Sequence, residues 1–244
     1  MKTPALALLT LAVVACDDSF IKGWEVDRTR VLGARIEGTQ VSWLVARSSR
    51  SDWAFAVCTD THLNAPRCDS PVTAAGRGAS DDELVVMDVG PLAPSSLVLA
   101  AFCANGAATL SPGDFTGTCA DGAPPLLASV KTPAEPNANP APAALFLDGQ
   151  PVTPETCVAP SSKHAFGFVM RLEDREPGES LLASTTVTAG ELERQYTSLG
   201  AEEPAPKEGV VAWTAPASGD VSVYLVLRDG RGGTSFTRAR VCVR

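Results

Sequence analysis

The sequence predicts an all-β chain folded as two β-sandwich domains, and three observations carry that prediction. Short runs rich in valine, leucine and aromatic residues recur between clusters of Gly, Pro, Ser and Asp, the pattern of sandwiches and barrels. A proline-dense segment at 131–142, KTPAEPNANPAP, divides the chain. Six cysteines lie beyond residue 16 (Cys58, Cys68, Cys103, Cys119, Cys157 and Cys242), an even set that suits disulfides outside the cytoplasm.

At the N-terminus, Lys2 precedes a short apolar run, PALALLTLAVVA at 4–15. About a dozen apolar residues fall short of the ~20 that span a bilayer, but they suit the apolar region of a signal peptide. The run ends in Val13-Val14-Ala15-Cys16, which resembles the lipobox of bacterial lipoproteins. That resemblance implies a signal peptide at 1–15, cleaved before Cys16, and a diacylglycerol on the Cys16 thiol, with palmitate-type chains as the membrane anchor. Each buried methylene contributes about 0.8 kcal/mol, so two chains hold where one only lingers. The competing reading is an ordinary secretory signal cut after Ala15. Residues 16–23 would then form a tether whose reach is little more than about 20 Å.

The formal charge of −8 becomes about −9 once Lys2 is removed with the leader. An acidic chain without a Lys/Arg cluster offers nucleic acid nothing to grip. Arg238, Arg240 and Arg244 share one face of the last strand, which reads as a solvated sheet face.

The first domain, 24–130, carries strands at 29–36, 40–47, 52–58, 83–89 and 96–104. Residues 97–103 form an apolar run whose length and flanking turns mark a buried strand. Trp53, Phe55 and Val57 share one face. The linker at 131–142, with prolines at 133, 136, 140 and 142, reads as a semi-rigid polyproline spacer. The second domain, 143–244, opens on strands at 144–147 and 150–152 around Asp148-Gly149, a tight-turn dipeptide. Further strands follow at 166–172, 181–187, 209–214, 221–228 and 234–243. Asp229-Gly230-Arg231-Gly232-Gly233 joins the last two, its glycines free to take positive φ. Thr188-Ala-Gly-Glu191 has capping-box spacing, with Leu192, Tyr196 and Leu199 at helical intervals. A short helix and a continued strand both fit this stretch, and the reading leans to strand and irregular structure.

Six cysteines allow 15 pairings. The favoured set is Cys58–Cys68, Cys103–Cys119 and Cys157–Cys242, and the main rival pairs Cys58 with Cys103. On the last strand Ala239, Val241 and Val243 face the core, so Cys242 points away from it. A bond to Cys157 then lies on the outer surface or at an edge, unless a bulge flips the register.

Residues 211–243, VAWTAPASGDVSVYLVLRDGRGGTSFTRARVCV, resemble the closing half of bacterial immunoglobulin-like and PKD-like modules. TTVTAGELE at 185–193 is similar to their middle strand. RVLGARIEG at 30–38 and WAFAVC at 53–58 resemble cell-surface lipoproteins that carry such sandwiches. The resemblance implies two immunoglobulin-like β-sandwich domains in a non-enzymatic surface or periplasmic module, and it transfers no catalytic residue.

No P-loop, dinucleotide fingerprint, nucleophile elbow or zinc-protease helix occurs. A Ser-His-Asp triad has only His62 or His164 as base, and both read as exposed loop residues with no nearby motif to present a serine. The adjacent acids Asp81-Asp82-Glu83 and Glu173-Asp174 read as solvated turns. Asp148, Asp229, Asp81 and Asp82 would suit Ca²⁺ by residue type, but without an EF-hand pattern they read as turn formers. Zinc has no C-x-x-C to bind it. Trp43, Trp53 and Trp213 read as core residues, and Trp24 alone stands outside the strands. The expectation is therefore a lipid-anchored cell-envelope protein, not an enzyme, without metal or cofactor. It would act as a binding or scaffolding module for a protein partner. Carbohydrate or small-ligand binding is the alternative, and a hydrolase with an unrecognised site comes last.

Overall fold

The computed structural model describes residues 23, 25–59 and 66–244. The leader, Cys16, most of the tether, Trp24 and His62 lie outside the described residues. No helix among the described residues is long and apolar enough to cross a membrane.

Nine strands build the first sandwich: β1 (Arg30–Glu37), β2 (Gln40–Ala46), β3 (Ser51–Thr59), β4 (Ala74–Ser80), β5 (Leu84–Asp88), β6 (Ser96–Cys103), β7 (Ala108–Ser111), β8 (Thr116–Cys119) and β9 (Leu126–Lys131). One sheet runs β1-β2-β5 and the other β4-β3-β6-β9, all antiparallel, which is an immunoglobulin-like Greek key. Alternation explains the core. Val41, Trp43 and Val45 from one sheet meet Phe55, Val57, Val98, Ala100 and Phe102 from the other. Trp43 meets Phe102 edge-on, with ring centroids 5.7 Å apart. The β7–β8 hairpin folds over the outer face of β3 and β6, where Ala54, Cys103, Ala108 and Cys119 cluster. Strand β6 is thus buried on both faces, which is why its sequence is an unbroken apolar run.

Strand β4, AAGRGAS, escapes sequence reading because Gly, Ala and Ser are poor strand formers. Its glycines serve a packing purpose. A Cβ on Gly78 would sit 2.4 Å from the Trp53 ring, and one on Gly76 would sit 2.6 Å from Phe55. The bare backbone is the surface on which both rings lie.

The second sandwich contains β10 (Phe146–Leu147), β11 (Gln150–Pro151), β12 (Cys157–Val158), β13 (Lys163–Met170), β14 (Leu181–Val187), β15 (Glu191–Leu192), β16 (Tyr196–Leu199), β17 (Lys207–Thr214), β18 (Gly219–Arg228) and β19 (Thr234–Val243). Its sheets run β11-β10-β13-β17-β15 and β12-β19-β18-β14-β16. Asp148 and Gly149, with φ of 49° and 79°, make the hairpin turn expected between β10 and β11. The stretch at 188–199 becomes two short strands, β15 and β16, rather than a helix; Gly190 at φ 88° bends the chain between sheets beneath Trp213. Phe166, Phe168, Trp213, Leu225 and Val241 fill the core. Gly209 pairs with Phe168 across β13–β17, and a Cβ there would lie 2.2 Å from the ring. Phe168 is buried and has nowhere to swing. Gly209→Ala is therefore expected to cost about 2–3 kcal/mol by overpacking, read as a lower denaturant midpoint. Gly78→Ala should cost less, because Trp53 is only half-buried.

The proline-rich segment is docked, which corrects the expectation of a spacer. Asn137 Nδ2 donates to the Asp229 carboxylate at 2.8 Å, and Asn139 Nδ2 donates to the Ile36 carbonyl at 2.7 Å. The Thr234 N–H donates to Asn139 Oδ1, and the Ala141 N–H to Asp174 Oδ1. Glu135 adds an ion pair with Arg231. Proline holds the backbone extended, while the two asparagines between the prolines fasten it to both sandwiches.

The sandwiches themselves pack face to side. Val26, Leu32, Leu44 and Ala46 of the first meet Tyr224, Val226 and Phe236 on the outer face of the second. Gly33 lies in this contact, where a Cβ would come within 3.2 Å of Val226.

Candidate functional site

A cleft of about 1030 Å³ opens between the two sandwiches. Its first wall is the turn after β2 with the 81–83 segment, and its second is the outer face of β18 and β19. Around it, Arg47, Asp82, Asp220, Arg238 and Arg240 present mixed charge.

A polar latch fixes the opening. Tyr224, fully buried, donates its hydroxyl to Glu83 Oε1 at 2.6 Å. The Arg47 N–H donates to the same oxygen at 2.8 Å. Arg47 has φ of 60°, a left-handed turn conformation that carries its guanidinium across to the Asp27 and Thr188 carbonyls. Arg238 spans to Asp82 and Glu83. Burial, followed by the hydrogen bond to Glu83, pushes the Tyr224 hydroxyl up to about 12. The Arg238 hydrogen bond holds the Asp82 carboxyl below the usual carboxylate range.

Asp82 lies exposed in a bend, as a solvated turn would place it, but with Glu83 it is also an ion-pair partner across the interface, which the sequence reading missed. Arg238 is correspondingly not part of a simply solvated stripe. Sequence spacing could not show this, because the partners stand 155 and 156 residues apart.

His164 is corrected as well. It sits in strand β13, its side chain only 16 % exposed, and not in an exposed loop. Its Nδ1 lies 2.6 Å from Asp148 Oδ2, and its Nε2 lies 2.6 Å from Ser162 Oγ. Ser162 is two residues upstream on the same face, so strand alternation presents the serine that no motif announced. Asp148 Oδ1 accepts the Ala165 N–H at 2.8 Å.

These are the contacts of a nucleophilic triad, and a proton inventory shows what they do. The Ser162 hydroxyl has one proton and two acceptors in reach, His164 Nε2 and the Ala159 carbonyl at 2.5 Å. The contacts run in series from the Ala159 carbonyl through Ser162 and His164 to Asp148. The neighbouring N–H groups of Ser161 and Ser162 are bonded to the Pro216 and Ala159 carbonyls, so neither is aimed at a developing oxyanion. The array works as a clasp that ties the β10–β11 turn and the 159–162 segment to β13.

The clasp has a pH signature. The hydrogen bond from His164 lowers the Asp148 pKa. A carboxylate depressed on folding contributes stability above its unfolded pKa, and that contribution is lost as pH falls through the folded value. Asp148→Asn is accordingly expected to lower Tm at about pH 7, with the difference closing as the pH drops below the ordinary aspartate range. A difference that stayed constant down to acid pH would rule out the carboxylate as its source.

The disulfides are Cys58–Cys68, Cys103–Cys119 and Cys157–Cys242. Cys242 does point away from the core without any bulge: β12 pairs parallel with the end of β19, and the bond bridges the two strands at the sheet's edge. The aspartates considered for Ca²⁺ are engaged by N–H donors. Asp229 accepts three, Asp148 accepts from His164 and Ala165, Asp82 meets Arg238 and Asp81 meets Arg50.

No family model matches the sequence, and no curated protein matches it. Among solved structures, the chain is similar to the D00-D0 domain of intimin, at 10 % identity and TM-score 0.29, covering 88 % of this chain and 96 % of that one. It is similar to red sea bream transglutaminase, at 9 % identity and TM-score 0.29, covering 88 % of this chain and 31 % of the enzyme. A β-glycosidase from Bacteroides vulgatus follows at 10 % identity and TM-score 0.27, with 88 % and 25 % covered. The chain thus spans a third or less of either enzyme's length. Two of these three are enzymes, which corrects the expectation that the chain is not one: that exclusion does not stand. Scores of this size carry no activity over to it. The strand order itself defines the class, an all-β chain of immunoglobulin-like sandwiches with three disulfides.

Proposed function

We propose that the chain is a binding or scaffolding module of the bacterial cell envelope, held to a membrane by lipid on Cys16. Its contact surface is the cleft between the sandwiches. The observation that supports this is the latch of Tyr224, Glu83, Arg47, Asp82 and Arg238. It fixes the two cleft walls in one orientation, so that a partner meets a surface already organised and little ordering cost falls on binding. Three disulfides suit an oxidising compartment. A lipid anchor would confine the cleft to two dimensions and raise the effective concentration of a weak partner.

Crosslinking on intact cells, followed by purification of the protein and mass spectrometry of what accompanies it, tests both parts. One partner recovered in near-stoichiometric amount, diminished by Arg240→Glu and by Cys16→Ala, is the expected outcome. Recovery unchanged by Arg240→Glu would remove the cleft from the proposal. Recovery unchanged by Cys16→Ala would remove the anchor.

A further inference from the structure

Strand β19 enters the cleft with one of its edges open. In an antiparallel ladder, two opposed residues either exchange both hydrogen bonds or both turn their N–H and C=O outward. Ser222 turns outward: its N–H donates to Thr188 Oγ1 at 2.9 Å and its C=O accepts the Thr188 N–H at 3.0 Å. Its ladder partner, Arg240, therefore also directs its N–H and C=O away from β18. Two residues on, the Cys242 N–H goes to the Thr156 carbonyl, and the Arg244 N–H to that of Val158, which confirms the alternation.

The alternation extends back to Arg238 and Phe236. It ends at Thr234, whose N–H is capped by Asn139. β12 covers only Cys242 and Val243. The Ser235 and Thr237 hydroxyls donate to the Ala141 and Ala143 carbonyls, so the 139–143 segment flanks the first half of this edge. At Arg238 and Arg240 the outward backbone groups have no hydrogen-bond partner among the described residues. Val152, Thr153 and Pro154 line the same cleft as Arg238 and Arg240.

Exposed edges invite indiscriminate pairing, and charged side chains guard them. Here the guards are Arg238 and Arg240, both exposed. Arg238 is already engaged by Asp82 and Glu83. Arg240 forms no ion pair among the described residues. An incoming strand with a carboxylate opposite Arg240 meets the guard with complementary charge.

We propose that the open edge of β19 receives an extended acidic peptide segment of a partner protein as an added strand. Main-chain hydrogen bonds to Arg238 and Arg240 would hold it, and a carboxylate on Arg240 would select it. The proposal rests on the reading of the cleft as the contact surface and names the partner's chemistry.

Amide hydrogen exchange on the purified mature protein tests it, with acetyl-(Glu-Val)₃-amide as probe and acetyl-(Lys-Val)₃-amide as control. The Arg238 and Arg240 amides should exchange freely alone and slow by about tenfold or more with the acidic probe at about 1 mM. The lysine peptide should leave them unchanged. Arg240→Pro removes one outward N–H while leaving the β18 ladder intact, and it should abolish the effect; Arg240→Lys should retain much of it. No slowing at either amide, or equal slowing by both peptides, overturns the proposal. If Arg240→Glu stops partner capture in cells while neither amide is ever protected, the cleft stands as a contact surface and strand addition falls.

Discussion

Replacing Asp229 by alanine is expected to destabilise the protein by about 3–5 kcal/mol. Asp229 is 2 % exposed. Its Oδ1 accepts the N–H groups of Arg231 at 2.8 Å and Gly233 at 2.9 Å, while Oδ2 accepts Asn137 Nδ2 at 2.8 Å. Removing the carboxylate leaves three donors without an acceptor in a site with little access to water. Each such buried donor costs about 1–3 kcal/mol, less whatever water recovers. Asp229→Asn keeps the shape and part of the bonding, so it should cost about half as much. The effect should also reach the 131–142 segment, where hydrogen exchange at Asn137 should rise out of proportion to the global loss. Equilibrium denaturation reads the first quantity, and a loss below about 1 kcal/mol would show that the turn stands without the carboxylate.

Opening the Cys157–Cys242 bond, as the double serine variant, should cost about 4–5 kcal/mol in the chain-entropy treatment. This bond joins residues 85 apart, against 10 and 16 for the other two. Those shorter loops are worth about 3 kcal/mol each on the same scale. The long bond also holds β12, a strand of two residues that has little else to keep it on the sheet. The loss should fall on the unfolding transition of the second sandwich. If the Cys58/Cys68 variant proved the more damaging, loop closure would not be the governing term.

Strands whose residues announce themselves were legible without a structure. β2, β3 and β6 combine β-branched or aromatic residues with a clear period or an apolar run. The 148–149 turn and the 229–233 loop are named by their Asp-Gly pairs. β4 and the β7–β8 hairpin were not legible. Their residues are small or polar, and they are strands because Trp53, Phe55 and the Cys103–Cys119 bond give them something to pack on.

The candidate site divides in the same way. The even cysteine number and the outward direction of Cys242 were readable, the latter from strand alternation, but the choice between the favoured pairing and its rival was made by the structure. Ser162 immediately precedes β13 and His164 lies two residues further on within it, so half of the clasp was in principle readable. Asp148 joins them only because β10 pairs with β13.

The all-β class, the even cysteine set and most core positions were readable from the chain alone, because burial alternation and turn chemistry act over a few residues. That Glu83 meets Tyr224, that Arg238 crosses to Asp82, and that the proline segment is fastened down came from packing. Those contacts join groups far apart along the chain and are fixed by how two finished sandwiches pack. Their energy comes from burying one partner beside the other, and no local pattern in the sequence records that proximity.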